Sequence, residues 1–387
     1  MAIIPKGIVL CVLTLATISW ARKVDFVEDN VKSQCGLTRY PALCAQTLTG
    51  GGLAPNVHIL SALVNGTLSE SKLPDSNFEA LSSHFISPEA QQARLAIDDC
   101  HDLMGMSVRR LNQAVQALET KSPEKHKEDI QTWLSAAITF QQACKDSVEG
   151  HVASNAYAAE IHRKMDHLSE LVSNPLALTN RITQDPTARL FPKGRELVDP
   201  KSFPSWVSGP DRRLLQSTEI RANAVVAKDG SGDYTTVTEA IEAAVGGRFV
   251  IYVKAGTYNE KIDSNKDGIM LIGDGKYSTI ITGSGSVAKG STLRGSATFT
   301  ITGDGFIARD IGFSNTAGAH AEQAVALTVS SDRSVVYRCS IAGLSGRVGW
   351  PGFRVIGPAE AAKFTVANFI GGNSWLPSTG VTFVSGL

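Results

Sequence analysis

The chain has 387 residues, enough for two or three domains that each bury a core of their own. Its 37 basic residues balance 37 acidic ones, so no net charge favours nucleic acid or an anionic membrane as a partner. Neither metal-ligand spacing nor a G-x-S-x-G or G-x-G-x-x-G motif occurs, so the sequence predicts no metal site, no serine nucleophile and no cofactor.

The first 21 residues have the pattern of a secretory signal peptide that is removed. Lys6 precedes an apolar run from Ile8 to Ile18, and Ser19-Trp20-Ala21 has the small-x-small form of a cleavage site. The run is too short to span a bilayer, so we predict a secreted protein without a stable membrane anchor. Asn65-Gly66-Thr67 is the only glycosylation sequon and predicts a surface turn.

Residues 22–183 have the periodicity of amphipathic helices. One apolar face, with steps of four and three residues, contains Met104, Val108, Leu111, Val115 and Leu118. A second face contains Ile130, Trp133, Leu134, Ala137, Ile138 and Gln141, and a third contains Ile161, Met165, Leu168 and Leu171. Since no strand pattern interrupts these segments, they predict an up-and-down helical bundle.

Five cysteines remain once the signal peptide is removed. Four of them, Cys35, Cys44, Cys100 and Cys144, lie in the helical region and allow three pairings, between which the sequence does not choose. Cys339 is left over. An unpaired thiol in a secreted protein either bonds another chain or has lost its partner.

The helical region carries the segments QCGLTRYPALC, DDC and TWLSAAITFQQACKD. Together they resemble the plant invertase and pectin methylesterase inhibitor family, over nearly all of residues 25–182. The resemblance implies a disulfide-stapled four-helix bundle with the pairs Cys35–Cys44 and Cys100–Cys144. Free-standing members inhibit cell-wall enzymes by binding them, which implies pectinesterase or invertase as a partner, whereas fused members act as pro-regions.

Residues 184–216 contain five of the 15 prolines and no sustained periodicity. We therefore expect a solvent-exposed linker that is susceptible to proteolysis. Arg212-Arg213-Leu214-Leu215 resembles the basic processing site that plant pectinesterases carry between pro-region and enzyme. This resemblance implies a subtilisin-like processing protease as a partner.

Residues 217–387 contain short runs of strand-forming residues, such as FVIYV, IMLI and ATFTI, separated by Gly, Asp, Asn and Ser. TVTEAIEAAV alone has a helical pattern. The spacing permits a sandwich, a barrel or a solenoid.

The same region resembles the plant pectinesterases at both of its ends. The opening coils of that family are resembled by VVAKDGSGDYTTVTEAI, YVKAGTYNEKI, TITGDGFIARDIGFSNTAG and EQAVALTV. The end of the family's enzymes is resembled by FRVIGPAEAAKFTVANFIGGNSWLPSTGV. The implied fold is α + β and multidomain, a helical bundle followed by a right-handed parallel β-helix whose cleft binds methyl-esterified pectin.

The chemistry of that family is absent from the expected place. Its members use one aspartate in a Gln-Asp-Thr-Leu turn, another in an Asp-Phe-Ile-Phe-Gly strand, and an Arg and a Trp in a Leu-Gly-Arg-Pro-Trp segment. None of these motifs occurs here, and the 55 residues after Asp332 contain Glu360 as their one carboxylate. The family pattern breaks at Gly343–Leu344 and resumes at Trp350, so the central coils are missing. Arg347 and Trp350 belong to the closing loop and do not correspond to the catalytic pair.

Some family residues remain outside the missing coils. Gln323 in EQAVAL matches the glutamine that donates to the oxyanion and contacts the substrate, although it also fits an ordinary polar residue at a strand start. Tyr258 and Glu260 match an early coil, where we expect a structural role. The turn aspartates, which we expect to cap their own backbone, are Asp229, Asp233, Asp274, Asp304 and Asp310.

Three hypotheses follow from the sequence. The chain is a secreted cell-wall pectinesterase precursor, without activity because both catalytic aspartates are missing. Alternatively, the bundle acts as an inhibitor-like binding module attached to a degenerate β-helix. In the third, the chain is a mis-spliced product that folds poorly, because nothing in LSGRVG ensures clean stacking at the Gly343–Leu344 junction. The loss of internal coils need not itself prevent folding, since coils of a solenoid contact mainly their neighbours.

Overall fold

The computed structural model describes residues 31–50, 59–71, 91–120, 122–149, 156–180, 182, 203–204, 206–318 and 320–343. The chain divides into two compact units, Met1–Leu190 and Phe191–Leu387, and the boundary falls inside the predicted linker. The predicted signal peptide and the segment from Leu344 onward, with Arg347, Trp350 and Glu360, lie outside the described residues.

The first unit is helical. Within its described residues, a helical turn at residues 31–35 is followed by the helices α1 (Pro41–Gly50), α2 (Ile59–Ser71), α3 (Gln91–Leu118), α4 (Lys127–Glu149) and α5 (Ala156–Thr179). A 3₁₀ turn, Pro123–His126, leads into α4. α3 packs against α4, α4 against α5, and α2 against both α3 and α5, which confirms the predicted bundle.

The predicted apolar faces form the core of this bundle, with one adjustment. Ile161, Met165, Leu168 and Leu171 of α5 are all buried. On α3, Met104, Leu111 and Leu118 are buried, whereas Val108 and Val115 lie at the margin of the core. Four small residues of α3, Ala93, Ala96, Ala114 and Ala117, are also buried.

Both implied disulfides are present. Cys35–Cys44 joins the first helical turn to α1 with a Cα–Cα distance of 5.5 Å, and Cys100–Cys144 joins α3 to α4 at 4.3 Å. All four cysteines are buried, so the crosslinks lie within the cores that they connect. The expectation that Asn65 lies in a turn is wrong, because the residue is exposed in the middle of α2. Its sequon partner Thr67 is buried and donates its hydroxyl to the Leu63 carbonyl at 2.9 Å.

The described residues of the second unit form short parallel strands in three sheets. One sheet contains β1 (Ala224–Val226), β2 (Phe249–Val253), β5 (Ile269–Gly273), β8 (Ile307–Arg309) and β11 (Val335–Tyr337). A second contains β3 (Gly256–Asn259), β6 (Thr279–Gly283), β9 (Gly312–Asn315) and β12 (Ser340–Gly343), and a third contains β4 (Ile262–Ser264), β7 (Phe299–Ile301) and β10 (Leu327–Val329).

Each strand pairs with the strand one coil away, which is the arrangement of a parallel β-helix and confirms the predicted fold. Ile251, Leu271, Ala308 and Val336 occupy one register position in successive coils. The interior is filled by apolar side chains, and the ring of Phe299 lies 5.6 Å from that of Phe306 and 5.2 Å from that of Phe313. The turns between coils stack closely, since a Cβ on Gly268 (φ 73°) would lie 2.1 Å from the Gly247 carbonyl oxygen.

Two α-helices accompany the sheets in the part of the second unit that the structure describes. The first, α6 (Gly209–Gln216), lies within the segment expected to be an exposed linker, and that expectation is wrong for these residues. Ser208 caps the helix by accepting a hydrogen bond from the Asp211 amide, and Leu215 is fully buried against the sheet that contains β2, β5 and β8. The second, α7 (Val237–Glu242), confirms the helical pattern of TVTEAIEAAV.

Candidate functional site

Gln323 lies in the segment that precedes β10, and its side chain is exposed. Its carbonyl accepts a hydrogen bond from the Val287 amide at 2.9 Å, and the preceding residue, Glu322, has a left-handed backbone with φ 55°. The backbone thus fixes the position of Gln323 while its carboxamide faces solvent. Such a group can donate to an oxyanion, but it supplies neither a nucleophile nor a proton carrier.

Asn315, at the end of β9, organises the neighbourhood of Gln323. Its side chain is fully buried, and its Nδ2 donates to the carbonyls of Gly285 at 2.9 Å, Ser296 at 3.1 Å and Val325 at 2.9 Å. No recognisable motif in the sequence points to Asn315. Its only signal was its position between a strand and an Ala-Gly turn in SNTAG.

Thr292 lies in the segment between β6 and β7. The residue is only 6% exposed, and its Oγ1 accepts a hydrogen bond from the Gly295 amide at 2.9 Å. Its hydroxyl therefore serves a local turn in this structure.

The turn aspartates do not share one role. Asp229 accepts from the amide and hydroxyl of Ser231 in its own turn, as expected. The expectation of local capping is wrong for Asp233, Asp274 and Asp310. Asp233 accepts a hydrogen bond from the Val225 amide, Asp274 from the Ala255 amide, and Asp310 from the side chains of Arg309 and Arg338. Asp304 accepts a hydrogen bond from the Asp332 amide, 28 residues later. These carboxylates hold one coil or turn to the next.

Asp310 forms the most strongly charged of these contacts. It accepts from Arg309 Nε at 2.9 Å and from Arg338 Nε at 2.8 Å. Burial alone would raise the pKa of Asp310, but the hydrogen bonds and charges of the two arginines outweigh burial and hold its pKa below the usual value. A carboxylate held in this way remains charged and paired, which suits a structural role rather than proton transfer.

Tyr258 and Glu260 have the structural roles expected of them. The Tyr258 ring is buried in the β-helix core, and its hydroxyl donates to the Lys254 carbonyl at 2.9 Å. The Glu260 carboxylate accepts from the amides of Val237 and Thr238, both at 2.9 Å, and from the Thr238 hydroxyl. Glu260 thereby satisfies the orphan amides at the start of α7 and places a negative charge at the positive end of that helix.

Cys339 is a free thiol next to β12. Its side chain packs against the β-helix core, and burial raises the pKa of the thiol. The predicted processing residues lie in α6, where Arg213 is exposed, Arg212 donates its Nε to the Val207 carbonyl at 2.7 Å, and Leu215 is buried. Cleavage at this site stays a prediction.

Within the residues that the structure describes, no group of three or more His, Cys, Asp or Glu side chains could hold a metal ion. In the same set of residues, no helix combines the length and hydropathy needed to cross a membrane.

Two family models match the chain. Residues 223–345 match the model described as Pectinesterase, and residues 29–178 match that described as Plant invertase/pectin methylesterase inhibitor.

The Arabidopsis thaliana protein named Probable pectinesterase/pectinesterase inhibitor 54 is 42% identical over 335 residues, a match that covers 84% of this chain and 58% of the relative. Pectinesterase 2 of Citrus sinensis is 39% identical over 325 residues, covering 82% of this chain and 59% of the relative. A solved structure, Pectin methylesterase from Carrot, is 29% identical with a TM-score of 0.31, covering 44% of this chain and 100% of that chain.

These matches first define a class, in which a helical domain of the inhibitor family precedes a β-helix domain of the pectinesterase family. The chain belongs with the plant pectinesterases that carry an N-terminal inhibitor-like region. It spans 58% and 59% of the lengths of the Arabidopsis and Citrus relatives, respectively.

Proposed function

We propose that the chain is a secreted pectinesterase-family protein of the cell wall which does not itself hydrolyse methyl-esterified pectin. The observation that carries the proposal is the use of the turn aspartates. Asp233, Asp274, Asp304 and Asp310 each accept hydrogen bonds that connect segments of the β-helix, which favours a structural role for them over the roles of nucleophile and proton carrier.

Ester hydrolysis requires more than the surviving glutamine. A nucleophile must attack the carbonyl, a second group must carry protons to the leaving methoxide and from water, and donors must stabilise the oxyanion. Gln323 can fill only the last role. After Asp332, Glu360 is the one carboxylate side chain, so the residues that follow β12 cannot supply the family's two aspartates.

Methanol release tests this proposal. The purified full chain and an intact carrot pectin methylesterase are incubated with methyl-esterified polygalacturonate at equal concentrations. We expect the chain to release methanol at the rate of the buffer blank. A rate within tenfold of the carrot enzyme would overturn the proposal.

The bundle supports a second candidate function. It has both disulfides that the resemblance implies and two buried apolar clusters contributed by α1 to α5, so we propose that it can bind pectinesterase or invertase as the free-standing inhibitors do. The rates of both enzymes are measured over a concentration series of the full chain. A concentration-dependent fall in either rate supports the binding role, and unchanged rates in both series contradict it.

The same proposal includes three maturation steps of the secreted chain. Cleavage of a signal peptide after Ala21, glycan attachment at Asn65 and processing at Arg212-Arg213-Leu214-Leu215 by a subtilisin-like protease would produce a protein of the cell wall. Mass spectrometry of the protein isolated from the extracellular fluid of the source tissue identifies all three events by their new termini and added mass.

A further inference from the structure

The helix α6 is docked on the β-helix rather than suspended between domains. Leu215 and Val207 are 0% and 2% exposed, in an apolar cluster with Val250, Met270, Ile272 and Ile307 from the outer face of the sheet. Before α6 in the chain, the ring of Phe203 lies 5.6 Å from that of Tyr337 on β11. The segment therefore covers this sheet as far as its last described strand.

Arg309 on β8 fixes the C-terminal end of α6. Its Nη1 donates to the Leu214 carbonyl at 2.6 Å and to the Ser217 carbonyl at 2.7 Å, while its Nε is held by Asp310 at 2.9 Å. The residue is only 6% exposed. The bonds satisfy carbonyls that a helix end otherwise leaves without a partner, and their charged donor makes them strong.

Arg248 fixes the N-terminal end of α6. Its Nε and Nη2 donate to the two carboxylate oxygens of Asp211 at 2.8 and 3.2 Å. Its Nη1 donates to the Gly268 carbonyl at 3.0 Å, so the guanidinium bridges the helix to a turn of the coil beneath it. Both ends of an eight-residue helix are thus tied to the β-helix by buried or half-buried arginines.

We propose that α6 is a latch which withholds the Arg212–Arg213 pair from proteolysis for as long as the β-helix is folded. The Arg213 side chain is exposed, so a protease can meet it. The backbone around the Arg213–Leu214 bond is what the protease cannot bind. An extended peptide forms main-chain hydrogen bonds with the protein that binds it, and residues locked in a helix cannot offer that conformation. Cleavage after Arg213 therefore requires α6 to leave the sheet.

The latch has a direct consequence for the order of events. A chain whose β-helix has not yet closed over Leu215 is open to cleavage, and a folded chain is protected. This inference goes beyond the proposed function and does not depend on ester hydrolysis. It depends only on the contacts between α6 and the sheet.

Trypsin, which cleaves after Arg and Lys, serves as the probe, and the readout is the new amino terminus at Leu214, quantified by mass spectrometry on the full chain. Arg309→Ala removes one tie without altering the residues around the cleaved bond, and Asp211→Asn weakens the other. Two variants serve as matched controls. Arg221→Ala removes an arginine whose side chain is 86% exposed, and Phe313→Leu lowers the stability of the core without touching α6. Circular dichroism confirms that each variant is folded.

When opening is fast relative to cleavage, the rate follows the population of the open form. Loss of hydrogen bonds from a charged donor should raise that population, and hence cleavage after Arg213, on the order of tenfold in Arg309→Ala and measurably in Asp211→Asn. The wild-type chain and Arg221→Ala should resist cleavage. The proposal is overturned if the wild type is cut as fast as Arg309→Ala, if both latch variants resist, or if Phe313→Leu accelerates the cut equally. In that last case, global unfolding rather than the latch controls access.

Discussion

Replacing Asn315 by alanine removes the amide that joins three segments around Gln323. The amide group has two hydrogens for the carbonyls of Gly285, Ser296 and Val325, so about two full hydrogen bonds are lost, each worth about 1 kcal/mol. At least one buried carbonyl is left without a donor, which adds about 1 kcal/mol or more. We therefore expect the free energy of unfolding of this unit to fall by about 3 kcal/mol.

For a unit of about 150–250 residues this loss corresponds to a Tm lower by about 6–12 °C. Differential scanning calorimetry of the full chain measures the shift. Hydrogen exchange of peptides that cover residues 321–326 shows whether the segment around Gln323 loosens first. Asn315→Asp should behave like the alanine variant, because a carboxylate cannot donate.

Asn265→Ala is the matched control, since Asn265 is exposed. Its substitution should change the free energy of unfolding by less than about 0.5 kcal/mol. If Asn315→Ala lowered Tm no more than Asn265→Ala, the Asn315 amide would not be holding the three segments together.

Three further predictions concern other contacts of the β-helix. Glu260→Ala should lower the free energy of unfolding by about 1–3 kcal/mol, because the amides at the start of α7 lose their acceptor. Glu242→Ala, at the other end of that helix, is the control and should be nearly neutral in the same calorimetric assay. The hydrogen bond to Asp274, burial and the charge of Asp274 raise the pKa of Tyr252 to about 12. The stability linked to the Tyr252 phenol is therefore fully present below its unfolded pKa of about 10 and is lost between pH 10 and 12. An ultraviolet titration should show a lower pKa of Tyr252 in Asp274→Asn than in the wild type. Burial raises the pKa of Cys339, so iodoacetamide at about pH 8 should alkylate this thiol more slowly in the folded chain than in urea. Equal alkylation rates would contradict the placement of Cys339 against the core.

Much of the helical unit could be predicted because its signal is local. The α5 face of Ile161, Met165, Leu168 and Leu171 is buried as its spacing indicated. The core of α3 is wider than the large apolar residues suggested, because Ala93 and Ala96 contribute to it, and alanine carries little weight in a pattern of hydrophobicity.

The strand spacing of the second unit is compatible with three architectures, so only its resemblance to the pectinesterases predicts a β-helix. The missed features of this unit are non-local. Asn315 binds three carbonyls that lie 10 to 30 residues away in sequence, and Arg309 binds carbonyls more than 90 residues earlier. No sequence window could show either set of partners.

The helix α6 was missed for a different reason. Prolines and a charged pair made the segment look like a linker, although Ser208 followed two residues later by Pro210 is also a helix start signal. The deciding contribution comes from burial of Leu215 against a sheet that only the folded β-helix creates.

The central claim, that this chain keeps a pectinesterase scaffold without its ester chemistry, is tested most directly with Gln323. Methanol release from methyl-esterified pectin is measured at high protein concentration for the wild type, for Gln323→Ala and for buffer alone. We predict three indistinguishable rates. A wild-type rate above the blank that falls about a hundredfold in Gln323→Ala, the scale expected for an oxyanion donor, would show that this chain contains a working active site and would contradict the claim.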